Sequence, residues 1–414
     1  MPAQTLPQAA ARFEDFYVPR FEILVSGRSL APTVLRDVTQ VTYNDSIDEI
    51  DNFDLTVGNW DDDAFAFKYT GSERSVAGDT DVQKLFLPGG ADFELKVGYG
   101  SSLQTLCKGS STSLEPNFPA GGAATLNVRL LNVLHRLRAK KHRDHWPNDR
   151  VAEGQAKISR IAQDIGDRRI DGCRFPLPIR IDSAAMGREP ALTYLAQDNQ
   201  YDIDFLLQQA RRHGYVVYVD QERRGSSVQE VLRFGPPAGR TPGVAEALYE
   251  LRWGEGLIDF TPKLSMANQV ASAQIRSRNR ETNERIDPSV RWDDALVTVN
   301  RDLAQVMFSG PPGVAPDRCR EREEIVVTEP QFDAQQARRR AADLLSERLR
   351  QMVEATGNTV GLPDLRAGQR IQVEGFGERF SGLYFVTKTT HTINDQGYRT
   401  KFIARREARR GGSA

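Results

Sequence analysis

The stretch from Gly361 to Arg405 constrains the fold most. Ile371 and Val373 alternate with Gln372 and Glu374, Tyr384, Val386 and Lys388 continue a second run, and Thr400, Phe402 and Ala404 make a third. Alternation with period two puts one row of side chains on a core and the other toward water or a partner. Gly375-Phe376-Gly377-Glu378 and Asn394-Asp395-Gln396-Gly397 separate the runs, and glycine supplies the positive φ that such turns need. The pattern predicts a three-stranded meander, a structural module with nothing of an active site about it.

An earlier stretch echoes it. Phe93 to Gly100 answers Ile371 to Gly377, with Gly-aromatic-Gly ending both, and Val97 matches Val373 once Glu374 is taken as an insertion. Lys108 then answers Lys388, Gly122 answers Gly397 and Thr125 answers Thr400. The echo predicts two copies of one β-unit per chain. Amphipathic meanders with glycine turns also look alike without duplication, and that alternative stays open at this point.

At 414 residues the chain exceeds one ordinary core and should divide into two to four domains. With 39% apolar and 27% charged residues it reads as globular, and a net charge of −1 favours neither nucleic acid nor an anionic membrane. Arginine is dense at Arg338-Arg339-Arg340 and from Arg405 to Arg410, which reads as a solvated helix face and a frayed tail. Cys107, Cys173 and Cys319 lie far apart, which argues against a disulfide framework or zinc ribbon and suits a reducing cytoplasm. No apolar run approaches the ~18 residues of a membrane span. Met1 to Arg12 lacks the hydrophobic stretch of a signal peptide and reads as a flexible arm.

From Phe16 to about Leu134 short alternating runs recur: Phe21-Ile23-Val25, Val38 to Tyr43 ending at the turn formers Asn44-Asp45, and Phe53-Leu55-Val57. They point to a small barrel or sandwich. His142-Arg143-Asp144-His145 has no third spaced ligand, so the polar stretch around it reads as a solvated linker, not a metal site. Beyond Val151 the period changes. Ile158, Ile161 and Ile165 share a helical face, Pro190 opens a short helix over 191–195, and a third helix begins at Gln200 and ends at Gly214. Tyr215 to Val219 and Val228 to Phe234 complete a small α/β domain. β structure resumes at Leu257-Ile258-Asp259-Phe260 and at 268–278, with one strand near Leu296–Val299. Thr328 and Gln331 have capping-box spacing ahead of the stripe Ala337, Ala341, Leu344, Leu345, Leu349 and Met352, with Gly357 closing that helix. The expected class is α+β, mainly β. Two related β-barrel-like domains (16–134 and 245–405) flank the α/β domain (150–235). One long helix (329–356) precedes the C-terminal meander, a flexible arm (1–15) leads the chain and a basic tail (406–414) ends it.

Three stretches resemble the late control D family, the central hub proteins of contractile phage tails and injection systems, and the hub half of type VI secretion spike proteins. They are Gln200 to Leu206 with His213-Gly214-Tyr215, Leu257 to Pro262, and the terminal stretch from Gly361-Leu362-Pro363 through Gly368, Gly375-Phe376-Gly377, Ser381 to Tyr384 and His391 to Gly397-Tyr398-Arg399-Thr400. The residues carried over as structural or interface positions are Tyr201, Asp204, Phe205, Gly214, Phe260, Pro262, Gly361, Pro363, Gly375, Gly377, Gly382, Tyr384, His391, Gly397, Tyr398 and Thr400.

The resemblance implies a homotrimeric symmetry adaptor. It would join a hexameric inner tube to a trimeric spike and anchor baseplate or wedge proteins, with no cofactor, no nucleic acid and no stable membrane insertion. It implies assembly in the cytoplasm into a phage, phage-tail-like or injection-system particle. The pattern stops near Arg405, so the spike is expected to be a separate protein. A tail-associated cell-wall hydrolase is the enzymatic alternative, but no GxSxG, HExxH or P-loop occurs and Asp61-Asp62-Asp63 has no opposed partner in the sequence. A peripheral carbohydrate- or receptor-binding β module would expose aromatic platforms, for which Trp60 and Trp253 are the candidates.

Overall fold

The computed structural model describes residues 3–13, 16–70, 84–170, 173–174, 177–224, 227–236, 247–279, 282–297, 299–309, 322–327 and 333–408. It is mainly β with mixed sheets. β1 (Gln4–Thr5) and α1 (Leu6–Arg12) lead into β2 (Pro19–Val25), β3 (Val38–Ser46) and β4 (Asn52–Gly58). β5 (Asp92–Tyr99), β6 (Ser102–Asn117) and β7 (Thr125–Asn132) follow as an antiparallel meander. The middle holds β8 (Lys141–Trp146), α2 (Ile158–Asp167), β9 (Leu195–Tyr201), α3 (Asp202–His213) and the hairpin β10 (Val216–Arg224) with β11 (Ser227–Gly235). Last come β12 (Tyr249–Arg252), β13 (Leu257–Leu264), α4 (Ala334–Arg350), β14 (Val353–Val360), β15 (Arg370–Glu374), β16 (Gly382–Asn394) and β17 (Gly397–Ala408).

One fourteen-stranded sheet contains both β regions. Its alternating rows do what the sequence pattern requires. Tyr43, Phe53, Leu55, Val128, Val373, Tyr384 and Phe402 are buried in a single apolar cluster that also takes in Ala341, Leu345 and Leu349 of α4. The middle of the chain has its own core, with Ile161 and Ile165 of α2 and Phe205 and Leu206 of α3 packed on Phe234 of β11. Gly214 ends α3 in the left-handed conformation at φ +64, where a side chain would be strained.

Several expectations need correction. Residues 4–13 are not a free arm. Gln4 and Thr5 pair in parallel with Tyr249 and Glu250, and Phe13 is fully buried against Phe16 and Tyr99. The stretch expected as a linker contains β8, which pairs with β9. Trp146 anchors it, fully buried, donating to the Asp164 carboxylate at 2.9 Å and stacked on Phe205. Residues 191–194 are not helical and lead into β9. α4 stops at Arg350, because the β-branched alternation from Val353 onward joins the sheet as β14. Its N-cap is Asp333, which accepts from the Gln336 N–H; the spacing at Thr328 and Gln331 lies outside the described residues. Among the described residues of 296–299 no strand forms; a helix at Arg301–Phe308 follows instead. The basic tail begins later than expected, for β17 runs to Ala408 and Arg406 is fully buried on the Asp302 carboxylate at 2.9 Å.

Docking of the N-terminal segment is testable. Phe13→Ala should lower the unfolding free energy by about 3–5 kcal/mol, the usual cost of truncating a buried phenylalanine. It should also open residues 4–13 to limited proteolysis; equal stability and equal cleavage would show the segment to be undocked.

Candidate interface: a seam between two like sheets

Strands β2 to β7 and β12 to β17 keep one order. The first set runs β2-β5-β6-β7-β4-β3 across the sheet, and the second runs β12-β15-β16-β17-β14-β13. They differ in direction only at the first pair: β2 meets β5 antiparallel, whereas β12 meets β15 parallel.

Two bulges fix the residue correspondence. Thr112 is skipped between Ser111↔Leu130 and Ser113↔Arg129, as Thr387 is between Val386↔Ala404 and Lys388↔Ile403. Each skipped threonine donates its hydroxyl across the ladder, Thr112 to the Arg129 carbonyl at 3.2 Å and Thr387 to the Ile403 carbonyl at 3.1 Å. Likewise Thr39 is skipped between Val38↔Val57 and Gln40↔Thr56, and Ile258 between Leu257↔Thr359 and Asp259↔Asn358. Both bulges give the same alignment. Val97 and Val373 do lie in corresponding strands, β5 and β15. The residue matches read from sequence shift, however: Val373 falls with Leu95, Lys388 with Ser113 and Thr400 with Leu126, because the segments that join the paired strands differ in length between the two units.

The two sets join where β16 pairs antiparallel with β3, from Lys388↔Ser46 to Ile393↔Val41. A buried polar knot closes this seam. The Asp45 carboxylate accepts from Arg366 Nε at 2.6 Å and from the Ala367 N–H at 2.9 Å. Arg366 also donates to the Leu106 carbonyl at 3.1 Å and to the Tyr43 hydroxyl. Asp51 lies beneath, accepting from the Ser46 N–H at 3.3 Å, with its carboxyl held well above the usual range by burial and by Asp45. Burial likewise pushes the Tyr43 hydroxyl well up.

His391 completes the knot. Nε2–H donates to the Leu365 carbonyl at 3.0 Å, so Nδ1 accepts from the Tyr398 hydroxyl at 2.8 Å, with the Thr400 hydroxyl at 3.2 Å. Burial and the nearby Arg366 charge push the imidazole down to about 3, and it stays neutral. The Thr400 hydroxyl accepts from the Leu362 N–H at 2.9 Å. Tyr99 donates to the Gly361 carbonyl at 2.9 Å. Gly361 is required there, since a Cβ would lie 2.1 Å from the Tyr398 ring.

The sixteen positions carried over from the resemblance therefore fall in several places. Gly361, His391, Tyr398 and Thr400 meet in the knot, with Pro363 in the adjoining loop. Phe260 packs on Tyr384, whose hydroxyl donates to the Phe380 carbonyl at 2.7 Å, while Pro262 lies opposite Ala355. Gly375, Gly377, Gly382 and Gly397 take positive φ around the turns that bound β16. Tyr201, Asp204, Phe205 and Gly214 belong to the middle of the chain, where Asp204 pairs with Arg138 at 2.8 Å and Lys141 lies over the Tyr201 ring. Sequence reading missed Tyr43, Asp45, Asp51 and Arg366. The signal for Asp45 was its place in the row Val41-Tyr43-Asp45; it looks like a turn former, yet β3 continues through Ser46.

Trp60 packs edge-on against Phe67, and Trp253 stands 73% exposed. Cys107, beside the knot, is buried with its thiol pushed well up. Among the described residues no group of three or more His, Cys, Asp and Glu could hold a metal ion, and no helix is long and apolar enough to cross a membrane.

The fold is one shared by phage tail proteins and a type VI secretion component. The 43 kDa tail protein of prophage MuSo2 from Shewanella oneidensis matches at TM-score 0.61 and 14% identity, over 94% of this chain and 98% of that one. The tail protein from Neisseria meningitidis MC58 matches at 0.60 and 13%, over 94% and 97%. The Escherichia coli c3393 protein, a type VI secretion component described as similar to the T4 tail proteins gp27 and gp5, matches at 0.51 and 13%, over 95% and 78%. The resemblance to tail and type VI secretion proteins expected from sequence is borne out at the level of fold. No curated protein sequence matches the chain. The family model described as the Alg8 N-terminal domain matches residues 180–395, just over half of the chain, and the chain belongs to that family.

The neutral histidine gives the knot a pH signature. An unfolded histidine takes up a proton near pH 6.5 that the folded one refuses until about pH 3. Stability contributed by His391 is therefore full above pH 6.5 and falls as pH drops toward 3, by about 1.4 kcal/mol per unit. Asp45 and Asp51 remain in both proteins, so comparison with His391→Gln isolates this proton. Between pH 4 and 6 the variant's unfolding free energy should vary with pH by about one proton less than the parent's; parallel curves would exclude a buried neutral His391.

Proposed function

We propose that the protein is the structural hub of a contractile tail or injection-system baseplate. In this reading it is a homotrimer that adapts a hexameric inner tube to a trimeric spike and anchors baseplate or wedge proteins. The observation that carries the reading is the repeated strand order with matched bulges, which makes two related units of one chain. Six tube subunits cannot meet a three-fold spike through equivalent contacts. Three chains of two like units offer six similar surfaces toward one partner and three distinct ones toward the other. The units act by fit and by strand pairing, and no reaction is assigned to them. The particle would assemble in the cytoplasm, with tube and spike as its axial neighbours.

Native mass spectrometry, with class averages viewed down the particle axis, tests this reading. Three copies and a six-lobed ring with three-fold alternation are expected. Six copies per particle would overturn the adaptor.

A further inference from the structure

Within one chain, β16 of the second unit accepts β3 of the first. The corresponding strands, β6 and β13, each keep one side without a strand partner among the described residues. Beyond Ser111 only β7 pairs with β6, and from Asp259 onward only β14 pairs with β13. Glu115 and Asn117 on one edge, and Asp259, Thr261 and Lys263 on the other, are exposed. Ile258, in the bulge of β13, is 50% exposed, and Phe118, just past β6, is 55% exposed.

We infer that these two edges pair with each other between copies of the chain, β6 of one with β13 of the next, as β16 pairs with β3 inside each copy. The inference rests on the trimeric reading and names the surface that would hold the trimer together. The register follows from the bulges. Ser113 corresponds to Lys388, and Phe260 to Val41. Transferring the seam's pairing then sets Leu114 opposite Leu264, Glu115 opposite Lys263, Pro116 opposite Pro262 and Asn117 opposite Thr261.

Nothing in the transfer guarantees chemical sense, yet the pairs have it. Two leucines meet, an exposed carboxylate meets an exposed ammonium, and an amide meets a hydroxyl. Opposite charges across an antiparallel pair are favourable and like charges are not. The prolines weaken the ladder but do not choose its register. A proline on an open edge removes a ladder donor and usually blunts that edge. Here the two fall opposite each other, so the lost donors coincide at one position. The same two ladder bonds are lost in any shifted register, so the register rests on the Glu115–Lys263 charge pair, which a slip would separate.

Cysteine cross-linking in the full chain tests the register. Glu115→Cys with Lys263→Cys in the same chain should give covalent dimers and trimers on oxidation. Each single variant, and Ser113→Cys with Thr261→Cys four positions out of register, should not. Charge reversal gives an independent measure: Glu115→Lys or Lys263→Glu alone should raise the concentration at which the trimer dissociates several-fold, and the double reversal should restore it. A trimer by mass that yields neither the covalent link nor the rescue would overturn this edge pairing and leave the trimer standing. A chain that stays single by mass would overturn both.

Discussion

The buried pairing of Arg366 with Asp45 is the constraint from which the rest of the seam follows. A guanidinium deprived of its carboxylate in such surroundings costs several kcal/mol, about 3–5 where one partner is simply removed. Arg366 lies in the loop between β14 and β15 and so belongs to the second unit; Asp45 and Tyr43 belong to the first. The ion pair therefore ties the units together by a contact that neither can satisfy alone. It also fixes register. A ladder of six residue pairs between β3 and β16 would place the same faces inward after a slip of two residues. Such a slip would carry Asp45 away from Arg366 and Tyr43 away from His391.

The open edges carry none of this chemistry. Where the seam has Tyr43, Asp45 and His391, the corresponding positions hold Pro262, Leu264 and Pro116. The seam and the junction inferred between copies would thus be alike in backbone and unlike in side chains. Arg366 has no counterpart acid at β13, and Lys263 has only Asn44 at the matching place in β3. Distinct side chains on equivalent ladders discourage wrong pairings, since each edge meets its own partner with fewer unpaired polar groups than it would meet the other.

Much of the fold was legible because it depends on local alternation. The C-terminal meander, α3 with its Gly214 stop and the strand rows around Leu55 and Val128 all follow from side-chain period and turn residues. What escaped was set by distant partners. Gln4 and Thr5 carry no strand signal; they are ordered by Tyr249 and Glu250, far along the chain. The polar run around His142 forms β8 because Trp146 buries its ring and β9 supplies the pairing. Of the candidate residues, His391, Tyr398, Thr400 and Gly361 were reached through family likeness. Arg366 and Asp45 were not reached at all, because a lone arginine in a loop and an aspartate after an asparagine look like solvated turn residues. The repeat was visible as an echo, but its register was not, since the segments joining its strands differ in length between the two units and glycine turns alone do not fix which strand residues correspond.

The skipped threonines, Thr112 and Thr387, bear on how the two units curve. A bulge bends its strand and raises local twist. Two bulges at matched places, one of them closed by the same threonine-to-carbonyl hydrogen bond in each unit, give both units the same bend at the same strands. A three-fold ring closes when the two steps of one chain together turn through a third of a circle, and it looks six-fold only in so far as those two steps are alike. In the proposed trimer the step inside the chain and the step between chains would match only if β6 presented its edge to the β13 of the next copy as β16 presents its edge to β3. In the proposed trimer, removing the bulge from one unit alone would make the two units curve unlike each other, and the ring would keep its three-fold symmetry while losing its likeness to a hexagon.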